Sequence, residues 1–275
     1  VLSSLVPRDL RDDFAAVYAF CRWSDDLSDE IGDPEESRVL LDWWRRELRD
    51  CFEGTPRHPV MCALLVTIRK HDLPERPFND LIDAFVQDQE LTRYQSWNQL
   101  LHYCSMSADP VGRLVLMMLG EPREDSHFAP SDHICTALQL TNHWQDVSRD
   151  ILERDRLYIP RELIDADDFE RRLRESARQG YSIDERFLEE SREVIRICVD
   201  RTEAMFRSGS VLLDRLSPSS RPVIRLVLEG GCHVLGLVRQ WNYETAIHRP
   251  RLSRFVKLGL VARAWTSARL ASRSA

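Results

Sequence analysis

The sequence predicts an all-α protein. Apolar residues recur at helical spacing along most of the chain, strand-like alternation is scarce, and prolines and glycines punctuate the periodic runs. No Gly/Ser-rich or Pro-rich linker, repeat or low-complexity tract divides the 275 residues, so one continuous domain over 1–275 is expected.

Taken in order, Pro7 and Asp9 open a helix expected to reach about Glu30, ahead of Gly32-Asp33-Pro34. Further helices are expected at 35–53, 59–72, 77–92 and 96–119, the last closed by Gly120 and Pro122. Pro130-Ser131-Asp132 reads as a start signal with Ser131 or Asp132 as N-cap, and the helix it opens should continue to about Glu153. A charged connection from Glu153 to Arg156 leads to Tyr158-Ile159-Pro160. Later helices are expected at 167–179, 184–216, 219–247 and 253–272, with Pro218, Pro222 and Pro250 punctuating the last three. Such a bundle can enclose a cavity and line it from facing helices.

A chain 43% hydrophobic and 30% charged can bury a substantial core. Its net charge of −7 gives no reason to expect a nucleic-acid partner. The charge is uneven, however. From Thr245 onward there are seven basic residues (Arg249, Arg251, Arg254, Lys257, Arg263, Arg269 and Arg273) and no acidic one, with Phe255, Val256, Leu258, Leu260, Val261 and Trp265 interleaved. This basic amphipathic segment can lie on an anionic membrane surface, or dock its apolar side on the domain and solvate its charges. Seven cysteines occur singly, without a CxxC pair, so neither a zinc site nor a disulfide framework is indicated and a reducing cytoplasm fits. No apolar run approaches 18 residues, which excludes a conventional membrane-spanning helix. The chain opens on Val1 rather than Met, so its true start is expected upstream.

Two segments place aspartates four apart: Asp25 and Asp29 in FCRWSDDLSDE, and Asp146 and Asp150 in LTNHWQDVSRD. Residues i and i+4 lie on one helix face, so each pair is a rail of two carboxylates. Like charges at this spacing cost an isolated helix roughly 0.2–0.5 kcal/mol. If the rails face each other at about 6 Å, each cross-pair repels by roughly 3 kcal/mol at an effective dielectric near 20. A cation should offset that repulsion. Mg²⁺ takes carboxylate oxygens, keeps waters and shares substrate phosphates, so the rails point to a metal-bridged phosphate or diphosphate site.

Each rail belongs to a longer stripe. Tyr18, Arg22, Asp25 and Asp29 are spaced 4, 3 and 4, and Gln139, Asn142, Asp146 and Asp150 are spaced 3, 4 and 4. A solvated face carrying an Arg–Asp ion pair is the competing reading of the first stripe, and an exposed polar stripe that of the second. Asn142, one turn before Asp146, can add an amide oxygen to a metal shell. Asp26 and Glu30 fall off the first stripe. Arg156 and Tyr158, just beyond the second rail, could close the site, since the planar guanidinium suits a diphosphate. Tyr103, Trp23, Trp144, Trp241 and Tyr243 could line an apolar cavity suited to a carbocation; ordinary core packing is the alternative for each. His143 lies one position off its stripe and reads as a packing residue. A Walker loop, a GxGxxG after a strand, an HExxH and a nucleophile elbow are all lacking.

YAFCRWSDDLSDE and QLTNHWQDVSRD followed by RLYIP resemble the two signature segments of the squalene/phytoene synthase family, and the resemblance covers nearly the whole chain. It implies an isoprenoid (terpenoid) synthase fold, a single helical bundle with a central cavity. Two Asp-x-x-x-Asp motifs would face each other there and hold Mg²⁺ on a prenyl diphosphate. By motif position, Asp25, Asp29, Asp146 and Asp150 would be catalytic metal carboxylates, with Asn142 as a further ligand. Tyr18, Arg22, Gln139, Arg156 and Tyr158 would contact or flank the diphosphate, and Tyr103 would be a cavity tyrosine. FCRWSDDLSDE, SWNQLLHYCSMSADPVGRLVL, NHWQD and RPRLSRFVKL resemble the bacterial hydroxysqualene synthase branch, which implies conversion of presqualene diphosphate and water to hydroxysqualene and diphosphate in hopanoid biosynthesis. Head-to-head condensing members, which use farnesyl or geranylgeranyl diphosphate, usually carry Arg where this chain has Gln145. Condensation to presqualene diphosphate, squalene or phytoene is the alternative activity, and a non-catalytic assembly factor on the same fold is the alternative from another class. A cytoplasmic location is expected, with peripheral membrane contact through the basic segment as a further expectation.

Overall fold

A computed structural model describes residues 6–251. The expected helix at 253–272 and most of the basic segment therefore lie outside the described residues. The described chain is all-α, and its isolated β-bridge joins Arg93 to Leu157.

The helices are α1 (Arg11–Asp29), α2 (Pro34–Phe52), α3 (Pro59–His71), α4 (Arg76–Gln87), α5 (Trp97–Ser107), α6 (Asp109–Met118), α7 (Asp125–Gln145), α8 (Val147–Glu153), α9 (Phe169–Gln179), α10 (Glu185–Ser210), α11 (Leu212–Arg215) and α12 (Arg221–Gln240). Local chemistry sets several starts. The Asp33 carboxylate accepts the Glu35 and Glu36 N–H groups at 2.9 and 3.0 Å, with Pro34 in the first turn of α2. Asp184 caps α10 through the Phe187 N–H at 3.0 Å.

Four expected helices differ from the observed ones. The 96–119 run divides at Ala108, because Pro110 has no N–H for a bond four residues back and its ring clashes with that carbonyl. The start expected at Ser131 or Asp132 falls inside α7, which begins at Asp125 and carries Pro130 within it. Asp132 is engaged elsewhere, its two oxygens bonded to the Arg113 guanidinium at 2.9 and 2.6 Å. The helix expected to reach Glu153 breaks at Asp146 (φ −106, ψ 14), where the Ser148 N–H bonds to the Thr245 carbonyl at 3.2 Å. Finally, α10 stops at Ser210 ahead of the short α11, and α12 stops at Gln240 ahead of a series of turns.

The chain divides into two compact units. The first runs to Leu91 and again over Ser105–Asp132; the second takes Thr92–Cys104 and the chain from His133 onward. The first unit is built around Phe20, Trp44 and Phe78, with Phe20 stacked on Trp44 at 5.7 Å and edge-on to Phe78 at 5.2 Å. Burying each such side chain contributes roughly 1.5–3 kcal/mol. In the second unit Trp144 is fully buried and donates its indole N–H to Thr202 at 2.8 Å, tying α7 to α10. Gly231 of α12 lets the helix approach closely: a Cβ there would lie 2.5 Å from Leu138 Cδ2 and 2.7 Å from Phe206 Cζ.

Candidate active site

In the first unit, α1 carries Tyr18, Arg22, Asp25 and Asp29 along one face. That face is turned from the unit's core. Phe20, Ser24 and Leu27 are buried, whereas Tyr18 is 69% exposed and Asp25 and Asp29 are half-buried. Arg22 supplies local counter-charge, with Nη1 2.8 Å from Asp25 and Nη2 2.5 Å from Asp26 and 3.3 Å from Glu30. The ion pair of the competing reading is thus present. The Ser28 hydroxyl donates to Asp29 at 3.4 Å.

In the second unit, the break between α7 and α8 shapes the other acidic pair. Asp146 sits at the break, and its carbonyl accepts the Asp150 N–H at 2.8 Å, so the two acids remain one turn apart although the helix is interrupted. Asp150 is 8% exposed. Burial, and then the charge of Asp146, push its carboxyl up to about 7 against the opposing pull of Arg154, Arg149 and Arg156. Asp146 is better compensated: Arg249 Nε and Nη2 lie 2.5 and 2.8 Å from its two oxygens, and Arg149 Nη1 is 3.3 Å away. Gln139 is half-buried and Asn142 exposed, two turns and one turn before Asp146 on α7.

The loop that returns to this pair is tightly held. Asp155 adopts φ 52, a left-handed conformation that Asp tolerates better than most residues. Its carboxylate is taken by Arg93 at 2.7 Å and by Arg174, while Arg93 also grips Glu170 at 2.7 and 2.9 Å. The next residue, Arg156, is buried and donates its backbone N–H to the Asp150 carbonyl at 3.0 Å. The connection after Asp150 thus turns at Asp155 and delivers Arg156 to the acid.

Beside Arg156 stands a buried group of rings. Tyr158 stacks on Tyr94 at 5.7 Å and on His143 at 3.6 Å, and Tyr103 lies 5.6 Å from Tyr94 and 5.9 Å from Tyr158. Burial, and then the charge of Arg156, push the His143 imidazole down to about 3, so it is neutral at physiological pH. Its Nε2 has no hydrogen-bond partner among the described residues. Of the other aromatic candidates, Trp144 is core, while Trp23 and Trp241 are 40% and 48% exposed. Tyr94 escaped the sequence reading because it lies outside any helix, where no periodicity marks it. Arg249 escaped it too, having been counted only with the basic segment.

Among the described residues, no three His, Cys, Asp or Glu side chains gather as a metal-binding group. Asp146 and Asp150 nevertheless fit Mg²⁺, which is usually held by one or two carboxylates and completes its octahedron with water and phosphate oxygens. Burial above all raises the Asp150 carboxyl, and a bound cation would favour its ionised form.

The squalene/phytoene synthase family model matches residues 1–256. The chain belongs to the squalene/phytoene synthase family. Among its relatives it is similar to the hydroxysqualene synthase of Zymomonas mobilis, 34% identical over 60% of this chain and 55% of that protein. It is also similar to the hydroxysqualene synthase of Rhodopseudomonas palustris, 36% identical over 57% and 52%. The chain spans about half the length of these named relatives. The crystal structure of squalene synthase HpnC from Alicyclobacillus acidocaldarius matches with a TM-score of 0.75 at 39% identity, covering 88% of each chain. A dehydrosqualene synthase structure, at 23% identity and a TM-score of 0.79, shares the fold. The isoprenoid synthase fold expected from the resemblance is therefore the fold of this family member. Among the described residues, no helix is long and apolar enough to cross a membrane.

Proposed function

We propose that this chain is a Mg²⁺-dependent prenyl diphosphate-processing enzyme that converts presqualene diphosphate and water to hydroxysqualene and diphosphate. The observation that carries the reading is the arrangement in the second unit: an acidic pair with Asp150 buried, a buried arginine and a buried aromatic group, joined through Arg156. The names of the relatives support the choice of reaction. Gln145, where condensing members usually carry Arg, donates to the Pro250 carbonyl at 2.5 Å, so this position supplies no guanidinium for a second diphosphate.

In this reading Asp25, Asp29, Asp146 and Asp150, with Asn142, would hold the metal. Bound Mg²⁺ would stabilise the charge developing on the leaving diphosphate. Arg156, with Tyr18, Arg22, Gln139 and Tyr158, would orient the diphosphate, the guanidinium forks matching its oxygens. The C–O bond to diphosphate breaks with its electron pair on oxygen, and the cyclopropylcarbinyl cation rearranges. Tyr103, Tyr158 and Tyr94 would present π faces to that cation and limit early access of water. Water then donates a lone pair to carbon and loses a proton to give the alcohol.

Purified protein incubated with Mg²⁺ should release diphosphate and hydroxysqualene from presqualene diphosphate, and give neither from farnesyl diphosphate alone. Product from farnesyl diphosphate only would replace this reading with head-to-head condensation.

A further inference from the structure

One guanidinium covers both oxygens of Asp146. Arg249 Nε lies 2.5 Å from Oδ1 and Nη2 lies 2.8 Å from Oδ2, a bidentate fork on a carboxylate that is 13% exposed. The fork is held in place by the backbone on either side of it. Before Arg249, the Thr245 carbonyl accepts the Ser148 N–H at 3.2 Å; after it, the Pro250 carbonyl accepts from Gln145 Nε2 at 2.5 Å. Residues 245–250 are thereby strapped across the junction of α7 and α8. A carboxylate offers about four acceptor positions. The fork takes two of them, and Arg149 Nη1, 3.3 Å from Oδ2, takes a third.

We propose that Arg249 is a built-in counter-cation of Asp146 that a divalent metal must displace, so that metal loading releases residues 245–251 from the α7–α8 junction. The inference rests on the reading of Asp146 as a metal ligand. A guanidinium and a divalent ion on the same carboxylate repel each other, and at this partly buried position the repulsion is less screened than on an open surface. Arg249 is therefore a positioning residue: without metal it neutralises Asp146 and orders the strap, and it sets the concentration of metal at which the site fills.

The test uses the full chain without substrate and measures free Mn²⁺ by electron paramagnetic resonance during titration. R249Q should bind Mn²⁺ about tenfold more tightly than the unaltered protein, within the usual range of coupling between two ligands, and R249K, which keeps the charge, should fall between them. D146N should weaken binding and remove the advantage of R249Q. Hydrogen exchange on the unaltered protein supplies a reading that needs no variant: saturating Mn²⁺ should lower the protection of the Ser148 amide and of residues 245–249. If Mn²⁺ binds and D146N weakens it, but R249Q binds no more tightly or the strap keeps its protection, the displacement is refuted while Asp146 remains a ligand. If the unaltered protein does not bind Mn²⁺, or D146N binds it equally well, the metal reading of Asp146 falls and this inference with it.

Discussion

Asp150 and His143 are buried within a few residues of each other, and burial drives them in opposite directions. For Asp150 the folded value is raised from 3.8 to about 7. Below pH 4 the acid is protonated both folded and unfolded; between about pH 4 and 7 the unfolded chain ionises first, so stability is lost as pH rises. The expected size is a few kcal/mol, since each pKa unit is about 1.4 kcal/mol. D150N without metal should therefore be more stable than the unaltered protein at pH 8 and equal to it near pH 4, which denaturant midpoints would show. For His143 the folded value is lowered from 6.5 to about 3. Above pH 6.5 the ring is neutral in both states, and stability is lost as pH falls from there toward 3. H143F should flatten that acid-side loss; a midpoint that falls between pH 6 and 4 as steeply as before would refute the neutral, buried imidazole. Asp146 has the functional prediction: D146N should abolish turnover while leaving the helical circular-dichroism signal intact.

At the scale of the helix, the α7–α8 break matters most. An unbroken helix would have kept the Ser148 N–H within its own ladder; instead that N–H bonds to Thr245, and the break brings the C-terminal strap onto the acidic motif. The spacing of Asp146 and Asp150 was legible from the sequence because the backbone bond between them survives. The break was not, because the bond that accompanies it comes from a backbone segment about 100 residues away. Proline effects were only partly legible: Pro110 divides a helix, whereas Pro130 is accommodated inside one. The adjacent glycines of α12 show how far packing decides. Gly230→Ala meets nothing within 4 Å and should stabilise the protein by about 1 kcal/mol through helix propensity. Gly231→Ala must push on Leu138 and the buried ring of Phe206, and overpacking of this kind should cost about 1–3 kcal/mol. Opposite shifts of the unfolding midpoint are expected; equal shifts would refute the close crossing.

Across the whole molecule, the proposed reaction needs both acidic motifs. D25N and D146N should each eliminate turnover of presqualene diphosphate, and the double variant should be no slower than either, because groups that act together are not additive. Helical class, most helix positions and both acidic motifs were readable from the chain alone, because periodicity and spacing are local properties that survive folding, and the family was readable from the resemblance of its motif segments. The chain by itself also placed Arg156 and Tyr158 just after the second motif. What the tertiary structure decided was the state of those groups. It buried Asp150 so that its carboxyl is raised, stacked Tyr158 on a neutral His143, added Tyr94 to the aromatic group, and laid Arg249 on Asp146. Charge compensation and desolvation depend on which distant side chains come within a few ångströms, and linear spacing does not encode that distance.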